Sequence, residues 1–118
     1  MAKACVVLLA DTDTHEAMGR MANALTSAKE FVDEGDGAVV IFDGAGTKWV
    51  PELESEDHRY HRTYVELQDH IAGACAYCAK AFGVKDEIEA SSVKLLSEFR
   101  DHPSLHTYAA DGYQVITF

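Results

Sequence analysis

The chain has 118 residues, with 10 Lys and Arg against 20 Asp and Glu, giving a formal net charge of −10. That balance disfavours a protein that binds DNA electrostatically. A content of 47 % hydrophobic and 25 % charged residues excludes a disordered acidic tail. One folded domain over residues 1–118 is expected, with no membrane partner. The longest apolar runs, Val6 to Ala10 and Ala38 to Phe42, are too short to cross a bilayer. The start of the chain lacks the long apolar segment of a secretory signal, and three cysteines, Cys5, Cys75 and Cys78, are an odd number for a disulfide framework. Reduced thiols in the cytoplasm are expected.

Ala4 to Ala10 is a continuous apolar stretch with β-branched valines, the pattern of a strand covered on both faces in a parallel sheet. From Glu16 the residues Met18, Met21, Ala22, Leu25, Ala28 and Val32 recur at three- and four-residue spacing and predict one helix. Asp13 is its expected N-cap and Gly35 its left-handed stop. Ala38 to Phe42 predicts a second strand, ending in Asp43-Gly44-Ala45-Gly46. Two strands joined by such a helix form a βαβ unit, so Asp11 and Asp43 should lie on the same carboxyl edge, where open parallel sheets bind ligands.

Lys48 to Arg62 shows no sustained period and is rich in charge, which predicts an exposed excursion. Tyr60, Tyr64, Leu67 and Ile71 resume helical spacing. Ile71 to Cys75 reads as a short buried strand, and Ala76 to Phe82 as a helix stopped by Gly83. Ser91 or Ser92 is expected to cap a further helix carrying Leu95, Leu96 and Phe99, ended by Pro103. Asp111-Gly112 fits either a hairpin turn or a helix stop. The helix stop is preferred, because Leu105, Tyr108 and Ala109 share a helical face and Tyr113 to Phe118 makes a last strand. The expected fold is α/β, a three-layer α/β/α domain whose sheet has about four or five mostly parallel strands.

Cys75 and Cys78 form a CxxC at the predicted junction of strand and helix. Backbone amides and the helix dipole at such a junction favour thiolate over thiol, so both are candidate reactive thiols. Their alanine-rich surroundings also suit cysteine as a small buried hydrophobe. Cys5, inside the first strand, is expected to be core. A thioredoxin-like enzyme fits poorly, because the motif follows two strand and helix pairs and the chain's two prolines offer no cis-proline loop. His58, His61 and His70 together with the two cysteines are ligand types, but their spacing matches no standard zinc module and no metal site is assigned. Neither GxGxxG, GxxxxGK[ST] nor GxSxG occurs, which disfavours phosphate-loop nucleotide enzymes and serine hydrolases.

The strand VVLLADTDTH, the helix containing MANALTSAKEFVDEG, the strand AVVIFDGAG and the segment ACAYCAKAFGV, in that order, make the chain resemble the DsrE/DsrF-like sulfur-relay family over nearly its whole length. The resemblance implies a flavodoxin-like fold, a homo-oligomer such as a trimer or hexamer, and sulfur carried as a persulfide on a cysteine. In that family the cysteine precedes an alanine-rich helix closed by a glycine eight residues later, a placement that Cys75 and Gly83 match. The implied function is a small cytosolic sulfur carrier, a sulfurtransferase-type protein without a cofactor, taking sulfur from a donor protein and passing it to an acceptor. Cys78 departs from the single-cysteine pattern and leaves open a resolving or disulfide-forming role. Asp11, Asp43 and Gly44 are expected to line the pocket, although acidic neighbours would oppose thiolate formation. The alternative is a non-enzymatic oligomeric module that binds a small ligand or a partner, with both cysteines structural.

Overall fold

The computed structural model describes residues 2–118. Among the described residues five strands, β1 (Lys3–Leu8), β2 (Gly37–Phe42), β3 (Ile71–Cys75), β4 (Leu95–Leu96) and β5 (Gln114–Thr117), form one parallel sheet in the order β4-β3-β2-β1-β5. The helices are α1 (His15–Asp33), α2 (Trp49–Glu54), α3 (His61–Glu66), α4 (Ala76–Ala81), α5 (Lys85–Glu89) and α6 (Leu105–Ala110). They cover both faces, giving the expected three-layer α/β/α, flavodoxin-like arrangement.

The layers are unequal, and topology explains why. From β1 the chain steps to β2, β3 and β4 in one direction, so right-handed crossovers put the intervening helices on one face. It then returns past β1 to β5, which places α6 on the other. Alternate residues of β1 follow suit. Ala4, Val6 and Leu8 join the large core with Met21, Leu25, Trp49, Leu53, Tyr64 and Ile88, whereas Cys5 and Val7 face Leu105 and Tyr108 of α6.

The expected helix over the first stripe is α1, but Thr14 rather than Asp13 is its N-cap, accepting from the Ala17 N–H at 3.0 Å. Gly35 ends the turn with φ +80°. At the C-terminus α6 is followed by β5, with Gly112 at φ +86°, so the helix stop is borne out and the hairpin is not.

Two further expectations need correction. The segment from Lys48 to Arg62 is not an exposed excursion throughout: Trp49, Val50 and Leu53 are buried on α2, and the Trp49 indole N–H donates to the Ala10 carbonyl at 2.9 Å. Full burial of a Val or Leu contributes about 1.5–3 kcal/mol, which is enough to dock a helix under two turns long. Pro51 is tolerated there because it lies in the first turn. Glu52, the stretch Glu54–Asp57, Arg59 and Arg62 stay on the surface.

The helix expected to carry Leu95, Leu96 and Phe99 does not form. Leu95–Leu96 is the edge strand β4, and the helix lies earlier, as α5. Ser91 closes α5 instead of opening a new helix: its hydroxyl donates to the Ile88 carbonyl at 2.7 Å and accepts from the Val93 N–H at 3.0 Å. Leu95 then faces the large core and Leu96 the α6 side, the alternation of a strand. Gly73 permits the pairing, because a Cβ there would lie 2.5 Å from the Lys94 carbonyl oxygen.

Candidate functional site

The carboxyl ends of β2 and β3 and a tight hairpin after β4 converge on four side chains. Asp43, Cys75, Cys78 and His102 each offer one donor atom, and these atoms lie within 4.8 Å of one another. Cys75 is the last residue of β3 and the N-cap of α4, so the Cys78 N–H reaches back to its Sγ at 3.4 Å. The Cys78 thiol donates to Asp43 Oδ1 at 3.5 Å, and the same oxygen accepts from the Gly44 N–H at 2.8 Å. Asp43 is in turn positioned by β1, since its own N–H donates to the Leu8 carbonyl at 2.9 Å.

His102 arrives from the far side. Phe99 and His102 exchange two backbone hydrogen bonds of 2.9 and 2.8 Å, and between them Arg100 (φ 50°) and Asp101 (φ 68°) are both left-handed. This is the backbone of a two-residue primed turn, which normally selects glycine or asparagine. Two side-chain-bearing residues held there store of order 1 kcal/mol each. The turn is pinned to α4 by the Tyr77 N–H, which donates to the Asp101 carbonyl at 2.9 Å. His102 Nδ1 then stands 3.2 Å from Cys75 Sγ, and the Tyr77 ring lies against the imidazole at a centroid distance of 4.9 Å.

Both cysteines of the CxxC are thus in the cluster, with Asp43 and Gly44 beside them. Asp11 is elsewhere. It pairs with Lys48 at 2.6 Å, which holds its carboxyl below the usual range, and it lines a cleft of about 430 Å³ with Thr14, Arg20, Thr117 and Phe118. That cleft sits between the carboxyl ends of β1 and β5, where the direction of strand connection reverses. The other histidines are not partners of the thiols. His61 Nδ1–H donates to the Leu53 carbonyl at 2.7 Å and His70 Nδ1–H to the Ala38 carbonyl at 3.3 Å, while His58 Nδ1 accepts from the Tyr60 N–H at 3.0 Å.

The thiolate that the strand-to-helix junction was expected to favour is not what β3 delivers. Cys75 is fully buried, and its pKa is pushed up to about 12 by desolvation, with the Cys78 thiol and the Asp43 carboxylate adding to the rise. The Cys78 N–H acts in the opposite direction and loses, since one amide does not replace a hydration shell. Burial likewise raises Cys5 to about 11. Both thiols bind protons more tightly folded than unfolded. Their contribution to stability is therefore complete below the ordinary value of 9.0 and is lost as pH rises from there toward 11 and 12. The urea midpoint should fall across that window, and less steeply in Cys5→Ala; equal slopes in the two proteins would contradict this origin.

The cover over Cys75 is thin: Tyr77 is 55 % exposed and packs on the imidazole that touches the sulfur. Tyr77→Ala should therefore speed native-state alkylation of Cys75 several-fold with little change in melting temperature. An unchanged rate would show that the ring does not limit access.

No family model matches the chain. It is similar to the uncharacterized protein MJ0733 of Methanocaldococcus jannaschii, with 32 % identity over 96 residues that cover 81 % of this chain and 78 % of that protein. Among solved structures it is similar to the conserved protein of unknown function BT1422 from Bacteroides thetaiotaomicron. That match has a TM-score of 0.63 and 20 % identity and covers 97 % of this chain and 94 % of the other, a likeness of fold. Among the described residues no helix is long and apolar enough to cross a membrane. On the identity and the coverage that it shares with MJ0733, the chain belongs to the same family as that archaeal protein.

Proposed function

We propose that the protein is a sulfur carrier of the cytoplasm that holds sulfane sulfur on Cys75. The observation that carries this reading is the 3.2 Å approach of His102 Nδ1 to Cys75 Sγ, with a second thiol one helical turn away. A thiol whose pKa burial has raised is a poor nucleophile on its own, and a base within hydrogen-bond reach is what it needs. His102 takes the Cys75 proton as the sulfur attacks the terminal sulfur of a donor persulfide. The donor's sulfur–sulfur bond breaks, Cys75-S-SH forms, and the donor departs as a thiolate that receives the proton from His102.

Delivery is the reverse attack by an acceptor protein's thiolate on the terminal sulfur, which restores Cys75. Cys78 supplies a second exit. Its thiolate attacks the inner sulfur of Cys75-S-SH and expels hydrosulfide, leaving a Cys75–Cys78 disulfide that a dithiol reductant resets. Asp43, which accepts from Cys78, is placed to take that thiol's proton. The three free cysteines suit a reducing compartment, and the thin α6 layer suits a homo-oligomer such as a trimer or hexamer.

The test is the intact mass of the protein after exposure to a low-molecular-weight persulfide. Wild type should gain one reducible sulfur per chain and Cys75→Ser none; a gain retained in Cys75→Ser overturns the assignment. The full burial of Cys75 and the cleft that holds Asp11 favour a second reading, a small-ligand module with structural cysteines. On that reading wild type gains no sulfur either.

A further inference from the structure

We infer that Asp43, Cys75, Cys78 and His102 form a binding site for one zinc ion. Two sulfurs, an imidazole nitrogen and a carboxylate oxygen make a four-donor set of the hardness that zinc selects over magnesium or calcium. With zinc–sulfur distances near 2.3 Å and zinc–nitrogen or zinc–oxygen distances near 2.0 Å, tetrahedral ligands stand roughly 3.3–3.8 Å apart. The Cys75 to His102 pair is at 3.2 Å, the Cys78 to Asp43 pair at 3.5 Å, and all four donor atoms are within 4.8 Å. Closing on an ion therefore takes movements of about an ångström or less per donor.

Three further features are those of a ligand set held in place. The Cys78 N–H points at Cys75 Sγ, where it stabilises a metal-bound thiolate. The Gly44 N–H fixes the Asp43 carboxylate, as outer-sphere partners of metal ligands do. The left-handed turn at Arg100 and Asp101, itself bonded to Tyr77, carries His102 to the thiols from 27 residues beyond Cys75. Burial and the nearby carboxylate oppose free thiolates here, and a divalent cation removes that opposition by supplying the missing charge. Binding replaces both thiol protons: the ion and two thiols give a dithiolate complex and release two protons, with no change of oxidation state. The inference stands apart from sulfur carriage, and a zinc-bound form would hold both thiols away from a persulfide donor.

Cobalt(II), which occupies zinc sites and reports its ligands optically, is the probe. Reduced, chelator-treated protein titrated anaerobically with cobalt(II) should develop thiolate-to-cobalt charge-transfer bands that saturate at one ion per chain and vanish on adding one equivalent of zinc. His102→Gln, at a partly exposed position, should fold normally and bind cobalt at least about tenfold more weakly. Cys78→Ser should lose about half of the charge-transfer intensity. Absence of charge-transfer bands in folded wild type would overturn the site, as would equal binding by wild type, His102→Gln and Cys78→Ser. Sulfur loading of the metal-free protein is scored separately, so either activity can fail without the other.

Discussion

Replacing Gly46 with alanine is expected to lower the stability of the fold by about 3 kcal/mol or more, well beyond an ordinary surface substitution. The reason is steric and local. A Cβ at this position would lie 2.0 Å from the Leu8 carbonyl oxygen and 2.7 Å from its carbon, and both are backbone atoms at the end of a central strand. No rotamer change relieves such a contact, so the turn after β2 must lift away from β1. The Leu8 carbonyl is also the acceptor for the Asp43 N–H, and the Gly46 N–H donates to the Asp43 carbonyl at 2.8 Å. Displacing the turn therefore moves the carboxylate that faces Cys78. For a domain of this size the melting temperature should drop by roughly 10 °C. A melting temperature unchanged in Gly46→Ala would show that the approach of these two strand ends is not as tight as described.

Replacing His102 with glutamine is expected to slow sulfur loading of Cys75 by about 10²- to 10⁴-fold, the range that a positioned general base contributes. Glutamine keeps a polar side chain under Tyr77 but cannot accept the thiol proton as a base. The loss should shrink at alkaline pH, because solvent hydroxide then makes the thiolate that His102 otherwise makes. The pH profile separates this role from a structural one. A histidine that only held the hairpin in place would give a loss that does not change with pH. Stopped loading assays on wild type and His102→Gln, each followed from neutral pH upward, distinguish the two outcomes.

The sheet was legible because its central strands are continuous apolar runs. Ala4 to Ala10 and Ala38 to Phe42 are short, rich in β-branched valine and isoleucine and bounded by turn residues, which favours strand over helix, and the stripe from Met18 to Val32 has enough turns to declare its period. The failures are short elements. Leu95, Leu96 and Phe99 mimic a helical face by spacing alone, and a two-residue strand shows no period of its own. What decides the matter is the open edge of β3, a tertiary fact. Trp49, Val50 and Leu53 were masked by the charged residues that follow them, although an aromatic and two aliphatics at i, i+1 and i+4 were a signal for a buried turn of helix.

The candidate site was half legible. The CxxC at a strand-to-helix junction and Asp43 at the end of β2 were readable, since both follow from placing strand ends on one edge. His102 was not. Nothing local marks it as different from five other histidines, and its approach to Cys75 depends on a hairpin whose two left-handed residues, Arg100 and Asp101, are neither glycine nor asparagine. The direction of the Cys75 pKa shift was misread for the same reason. The amide of Cys78 was foreseeable, but the cover formed by Tyr77 and the hairpin, which removes water from the sulfur, was not.

The most direct measurement is the site of sulfur attachment. Metal-free protein is exposed briefly to a persulfide donor, trapped with an alkylating agent, digested and mapped by mass spectrometry. The account predicts a trapped persulfide on Cys75, located by fragmentation of the peptide it shares with Cys78, formed in Cys78→Ser as in wild type and much slower in His102→Gln. Sulfur found only on Cys5 or Cys78, or none on folded wild-type protein, would contradict it.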